Sequence, residues 1–424
     1  MKNDYSDMKK QIDKQLDKYN NVQSLMRYIN VKSLYKIHIE QEKNKATGID
    51  KITKEEYEQN IETKLKELIN NMKSNKYYPK PVRRVMIPKT NGKERPLGIP
   101  SYEDKLIQAK MAEILNIIFE RYFKDCSYGF RPNRDCHKAI KTIDNTIMHG
   151  KVNWIVEADI KGFFDHVDHD ILIRILEVVI KDKDFIYTIN KFLKSGYMYD
   201  GEYNETDEGT PQGGIISPIL ANIYLHVALD SWFDRKIKNL CKGEAYIVRY
   251  ADDFVCMFQY ENDARMFYDM LIKRFAQFKL ELEETKTKIF PFGRYTKEQH
   301  NFEFLGFTIR NGKTRNGYYK VDFTTSKKKS KTKYKTIQDY VKINRTIKPK
   351  ELIKQLNKKL IGLYNYYGIS GNYSWLIKIY NYTRNLLRKW LSRRSQRGKL
   401  SWDKFNRIIE YSPIVKPKIT FNLW

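Results

Sequence analysis

Two apolar runs that stop at carboxylates constrain this chain more than any other feature. Trp154-Ile155-Val156-Glu157-Ala158 leads into Asp159. Residues 245–250 and 254–258 flank Ala251-Asp252-Asp253. Short runs rich in β-branched and aromatic residues, bounded by turn formers, read as strands of a buried sheet. Ionised carboxylates rarely stand beside such runs unless paired or metal-bound. Asp-Asp is also ordinary turn chemistry, so an exposed β-turn is the simpler reading of that pair taken alone. Asp159 and Asp252 are 93 residues apart, and adjacent strands could bring them together. Three converging carboxylates would repel unless divalent cations neutralised them. An oxygen-only set without Cys or His favours Mg²⁺. Two such ions about 3.5–4 Å apart activate a 3′-hydroxyl and stabilise a leaving pyrophosphate, which is nucleotidyl transfer. Successive strand residues face opposite sides, so Asp252 and Asp253 need not be equivalent. Asp252 is the better bridging ligand.

The charge points to a polyanion. Lys plus Arg is 79 and Asp plus Glu 51, giving +28 on 424 residues. Such an excess suits nucleic acid and, less often, an anionic membrane. A lysine-rich protein from an AT-rich genome would look similar, but 31 Tyr and 21 Phe favour stacking on bases. At 41% hydrophobic the chain can bury real cores. Its four cysteines form no C-x-x-C pair, which argues against structural zinc and a disulfide framework and fits a reducing, cytoplasmic location. The charged start has no apolar core of a signal peptide, and no span of about 20 apolar residues occurs, so neither secretion nor a membrane is expected.

Periodicity predicts helices over 4–45, 53–71, 104–123, 135–148, 169–180, 184–195, 217–238 and 264–278. Thr53 and Glu56 have capping-box spacing. Strands are expected at 82–87 and 97–99 around Asn91-Gly92, and a hairpin over 302–309 and 318–323 around Asn316-Gly317. Beyond residue 324 the strands end and the chain turns helical and basic, with a domain boundary expected near 320. Residues 320–350 carry a net +9, and so do residues 381–420, so 18 of the +28 lies in 71 residues.

Tyr250-Ala251-Asp252-Asp253 alone is a short motif. It is joined, in order, by Arg95-Pro96-Leu97-Gly98-Ile99-Pro100, Ser127-Tyr128-Gly129-Phe130-Arg131-Pro132, Asp159 in its strand, Gly209-Thr210-Pro211-Gln212-Gly213-Gly214, and Phe304-Leu305-Gly306-Phe307. This series resembles the bacterial group II intron reverse transcriptase/maturases. The likeness extends into the basic end, with Trp390-Leu391-Ser392-Arg393-Arg394-Ser395-Gln396 and Ser401-Trp402.

The resemblance implies an α+β right-hand polymerase, fingers and palm with an antiparallel sheet, followed by an α-helical thumb or maturase domain. The expected division is an N-terminal extension at 1–80, fingers and palm at 81–320, and thumb at 321–424. Asp159, Asp252 and Asp253 match the catalytic, metal-binding aspartates, with two Mg²⁺ as cofactors. Phe164 matches an aromatic steric gate against the ribose 2′-OH; a core aromatic beside Phe163 is the other reading. Lys89 and Arg95 match fingers residues on the incoming dNTP, as does Gln212 at the nascent base pair. Arg131 is expected either on template phosphates or in an internal salt bridge. Residues 304–307 match the primer grip. The basic thumb, represented by Lys327, Lys328, Lys329, Arg393 and Arg394, implies a grip on an RNA or DNA template–primer and on group II intron RNA. Many relatives continue into a DNA-binding region and an endonuclease, which are not expected here. A related enzyme domesticated for phage defence or a CRISPR system would share the palm, and a binding-only splicing factor would share the fold.

Overall fold

The computed structural model describes residues 2–88, 94–210, 213–394 and 400–423. The central sheet has strand order β6-β7-β3-β8. The elements are β3 (Trp154–Ala158), β6 (Ala245–Tyr250), β7 (Asp253–Phe258) and β8 (Lys288–Pro291), with every neighbouring pair antiparallel. Both faces of this sheet are covered, which is why β7 reads as an unbroken apolar run. Phe254, Cys256 and Phe258 join a core built with the N-terminal and fingers helices. Val255 and Met257 point the other way, into a second core shared with the C-terminal helices. Strand β8, which the sequence pattern does not announce, closes the sheet beside β3.

The fingers hairpin consists of β1 (Val82–Pro88) and β2 (Glu94–Ile99), paired from Arg83↔Ile99 to Pro88↔Glu94. Its expected Asn91-Gly92 turn, with Lys89, lies outside the described residues. Strand β1 also pairs in parallel with β4 (Tyr197–Tyr199), which forms a small hairpin with β5 (Glu202–Asn204). The Thr53 capping box is present, with both reciprocal bonds. The helix expected over 53–71 is nonetheless two helices, Lys54–Glu58 and Ile61–Lys73, because Asn60 at φ +59° turns left-handed between them. The expected 217–238 helix also changes character. It is α-helical over Ser217–Leu225, then π-helical over His226–Asp230 and Phe233–Ile237.

The C-terminal hairpin is three-stranded, with β9 (Asn301–Phe304), β10 (Phe307–Lys313) and β11 (Tyr319–Thr325). Strand β11 runs through residue 320. The change to helix falls at Ser326, the N-cap of the helix Lys327–Ile343, in keeping with the shift in character expected beyond residue 324. Helices Pro349–Tyr367, Tyr373–Ser392 and Trp402–Tyr411 complete the thumb. Their core is continuous with the palm through Ala139, Ile140, Ile143 and Ile147 of the helix Cys136–His149. All four cysteines are free thiols. Among the described residues no helix is long and apolar enough to cross a membrane.

Candidate active site

The register of the palm sheet brings the predicted carboxylates together. Ala158 pairs with Phe254 across β3 and β7, and the next residues on that edge are Asp159 and Asp253. Asp252 sits beside them in the two-residue turn between Tyr250 and Asp253, where Ala251 takes φ +57°. The carboxyls feel one another. The protein crowding around Asp253 raises it to about 7, with the charges of Asp252 and Asp159 adding to the rise, although its open side still meets solvent. Burial likewise raises Asp252, reinforced by Asp159 and opposed by Arg95 and Arg249. The Lys286 ammonium is paired with Asp159, a cation already standing where negative charge accumulates. Among the described residues no three Asp, Glu, His or Cys side chains close into a preformed metal cage. The three carboxylates are oxygen donors of the kind hard divalent cations take.

A buried network holds the Ala251-Asp252 turn. Arg249 and Asp230 are both fully buried. Arg249 Nε donates to Asp230 at 2.7 Å and one terminal nitrogen to its second oxygen at 2.5 Å. The remaining donors reach Asn222 Oδ1 at 3.0 Å, Ser127 Oγ at 2.8 Å and the Ala251 carbonyl at 2.9 Å. All five guanidinium N–H groups are thereby used. Asn222 in turn donates to the Gly129 carbonyl at 2.7 Å. Gly129 lies so close to the turn that an added Cβ would stand 2.5 Å from the Ala251 nitrogen. Sequence motifs alone miss this brace. Its one signal is a charged residue inside the apolar run Ile247-Val248-Arg249-Tyr250.

The nucleotide-side motifs also converge. Phe164 lies in the short 3₁₀ turn Phe163–Asp165, edge-on to Phe163 at 5.3 Å. Its ring lines a cavity of about 310 Å³ with Arg84, Pro96, Gly98, Tyr197 and Thr210. Thr210 N–H donates to the Phe164 carbonyl at 2.8 Å, so the Gly209-Thr210 segment fixes that turn. Gly213, at φ +114°, packs on β2, where a Cβ would meet the Gly98 carbonyl at 2.4 Å. Arg95 is exposed on β2, and its charge reaches Asp252. Gln212, like Lys89, lies outside the described residues.

A cleft of about 890 Å³ runs from Asp159 and Asp253 to the thumb, past Lys286, Gly306, Lys328, Lys329 and Lys359. Lys327, Lys328 and Lys329 are exposed in the first turn of their helix, the end where the dipole disfavours cations. Gly306, in the expected primer grip, accepts from Ser326 N–H at 3.0 Å, tying the β9–β10 turn to that helix. At the far end of the thumb, exposed Arg393 lies 5.4 Å from the Trp390 ring, with Lys342, Arg345 and Lys389 around the same indole. Arg394 is exposed too and bonds the Ile347 carbonyl. Arg131 takes the internal one of its two expected roles. Its side chain is buried, bonded twice to Glu120 and to the Lys124 and Ser127 carbonyls, which leaves no face for template phosphate.

Residues 87–309 match the reverse transcriptase (RNA-dependent DNA polymerase) family, and residues 330–408 match the group II intron maturase-specific domain. The chain is similar to the group II intron-encoded protein LtrA of Lactococcus lactis subsp. cremoris, 34% identical over 406 residues, covering 74% of this chain and 65% of that protein. Protein YkfC of Escherichia coli K12 is 32% identical over 317 residues, covering 67% of this chain and 81% of its own. The putative COX1/OXI3 intron 1 protein of Saccharomyces cerevisiae is 40% identical over 181 residues, 42% of this chain and 21% of its own. The chain thus spans about two thirds of the length of LtrA.

Proposed function

The chain belongs to the reverse transcriptase family and carries a group II intron maturase-specific domain behind its polymerase, and from that membership we propose that it is an RNA-directed DNA polymerase that also binds group II intron RNA to assist splicing. The observation that carries the polymerase reading is the meeting of Asp159, Asp252 and Asp253 on one palm edge, with Asp159 and Asp253 lining a cleft that reaches the basic thumb. In this reading Asp159, Asp252 and Asp253 hold the cations, with Asp252 the better bridging ligand. Two Mg²⁺ ions, when bound, would lower the barrier to 3′-hydroxyl attack and neutralise the departing pyrophosphate. Arg95, and by the family resemblance Lys89, would contact the triphosphate of the incoming dNTP. The Phe164 ring closes the space a ribose 2′-OH would need, and Gln212 is assigned to the nascent base-pair pocket by the same resemblance. Lys327, Lys328 and Lys329 grip the template–primer beyond the primer terminus. An A-form duplex is contacted largely through phosphates and 2′-OH groups, which suits helix-borne lysines.

Extension of an oligo(dT) primer on poly(rA) with dTTP and Mg²⁺ tests the polymerase. Wild type should make DNA, and Asp252→Ala should not. Absence of product from wild type would reject the assignment. The intron role, supported by the match over 330–408, calls for a splicing assay on the host intron at low Mg²⁺. Equal rates with and without protein would reject it.

A further inference from the structure

We propose that Phe130 is a stacking platform for a nucleotide of the bound template–primer, placed beside the catalytic turn by its own motif. The inference rests on the polymerase reading and adds a contact residue to it. In Ser127-Tyr128-Gly129-Phe130-Arg131-Pro132 the side chains around Phe130 serve the interior. Ser127 accepts from Arg249, Tyr128 bonds Thr142 at 2.6 Å, Gly129 abuts Ala251, and Arg131 is held by four bonds to Glu120 and backbone carbonyls. Phe130 is the reverse case. It is 56% exposed and, among the described residues, makes no ring or cation contact.

Its backbone is also in the wrong region for its side chain. Phe130 has φ +56°, a left-handed conformation in which a bulky residue is an outlier. Glycine would satisfy that backbone better, and a polar residue would satisfy the exposure better. A large ring held outward on a strained, rigid turn therefore serves something outside the fold. The occupant follows from position. The Gly129 Cβ direction ends 2.5 Å from the Ala251 nitrogen, and one peptide step adds 3.8 Å, so the Phe130 Cα lies within about 8 Å of the catalytic turn. The ring therefore stands exposed near the turn that carries Asp252, where a template–primer held at that turn would lie close to it. A base or sugar face is the surface an aromatic ring recognises without sequence preference.

The test compares Phe130→Gly, Phe130→Ala, Phe130→Leu and Phe130→Trp with wild type. The readouts are Tm, affinity for a fluorescent RNA–DNA template–primer, and primer extension. Phe130→Gly should keep Tm at or above wild type, because the left-handed strain is relieved. Its affinity should fall about 5- to 100-fold, the range expected for loss of one stacked base. Phe130→Ala and Phe130→Leu should lose affinity comparably, and Phe130→Trp should retain it. Wild-type affinity in Phe130→Gly or Phe130→Leu would overturn the proposal, as would a loss that merely tracks a falling Tm. Those outcomes leave the polymerase reading intact if wild type extends the primer; failure of wild type to extend would overturn that reading instead.

Discussion

The Arg249–Asp230 pair allows stability and catalysis to be separated experimentally. Both side chains are fully buried, and every guanidinium donor is bonded. Arg249→Met alone leaves the Asp230 carboxylate buried without its partner, and breaking a buried pair in this way costs about 3–5 kcal/mol. Asp230→Leu alone strands the cation at comparable cost. Replacing both removes the uncompensated charge, and apolar replacements of a buried pair are often neutral or stabilising. The double variant should therefore recover most of the lost Tm. It should not recover catalysis, because the bonds from Arg249 to the Ala251 carbonyl and Ser127 are gone and the turn carrying Asp252 is no longer held. A misplacement of about 1 Å at a reacting centre costs on the order of 100-fold in rate. Thermal unfolding and single-turnover primer extension on the same preparations give the two readouts. A double variant with wild-type Tm and wild-type turnover would refute the idea that this pair positions the turn.

Three further perturbations have defined outcomes. Phe164→Ala should raise rNTP incorporation relative to dNTP, measured as the ratio of kcat/KM values; unchanged sugar selectivity would return the ring to a packing role beside Phe163. Changing Lys327, Lys328 and Lys329 together to Gln should flatten the dependence of log affinity on log salt for an RNA–DNA duplex, by up to about 0.9 for each phosphate no longer neutralised; an unchanged slope would remove these lysines from the duplex grip. Asp144, buried on the helix Cys136–His149 with one oxygen unbonded, is raised to about 6 by its burial. A carboxyl raised on folding costs nothing below its unfolded value, and its penalty grows as pH rises from about 4 to 6. Asp144→Asn should accordingly gain stability at pH 8 relative to pH 4.5, by at most about 3 kcal/mol. A Tm difference from wild type that does not change between those pH values would refute it.

Much of the site was legible because its signals are local. The apolar runs 154–158 and 254–258 give strands, and a carboxylate at the end of each leaves few arrangements. Thr53 and Glu56 announce a helix start through a bond pattern that depends on three residues of spacing. The misreadings come from information that is not local. Asn60 breaks a helix that periodicity alone would continue, because a left-handed residue can enter without altering the apolar spacing. The π-turns after Leu225 leave no periodic trace, yet they carry Asp230, the partner of Arg249. Arg131 could as well have faced the template, because its sequence neighbours do not reveal Glu120, eleven residues upstream. Lys286 gave no signal, being one lysine among many in the chain.

Several places where local rules are broken lie close to the palm carboxylates, although left-handed residues such as Ser24, Lys51 and Asp200 occur elsewhere too. Ala251 and Leu305 hold positive φ without being glycine, as Phe130 does. Asp253 is a carboxyl raised to about 7, and three lysines occupy the start of a helix whose dipole repels them. Each is unfavourable by itself, so fold stability does not explain the set. Asp253, Leu305, Lys328 and Lys329 line one cleft, and Ala251 lies in the turn just before Asp253. Their chemistries are complementary to one ligand, since raised carboxyls await cations and crowded lysines await phosphate. Bound nucleic acid with its metal ions would relieve both strains together. The basic excess is thus divided by function. Most of it lies after residue 320, where it can hold a polyanion, while the palm keeps its carboxylates close enough to repel. Such a division is what a polymerase requires, because a site that bound phosphate uniformly would hold its product as firmly as its substrate.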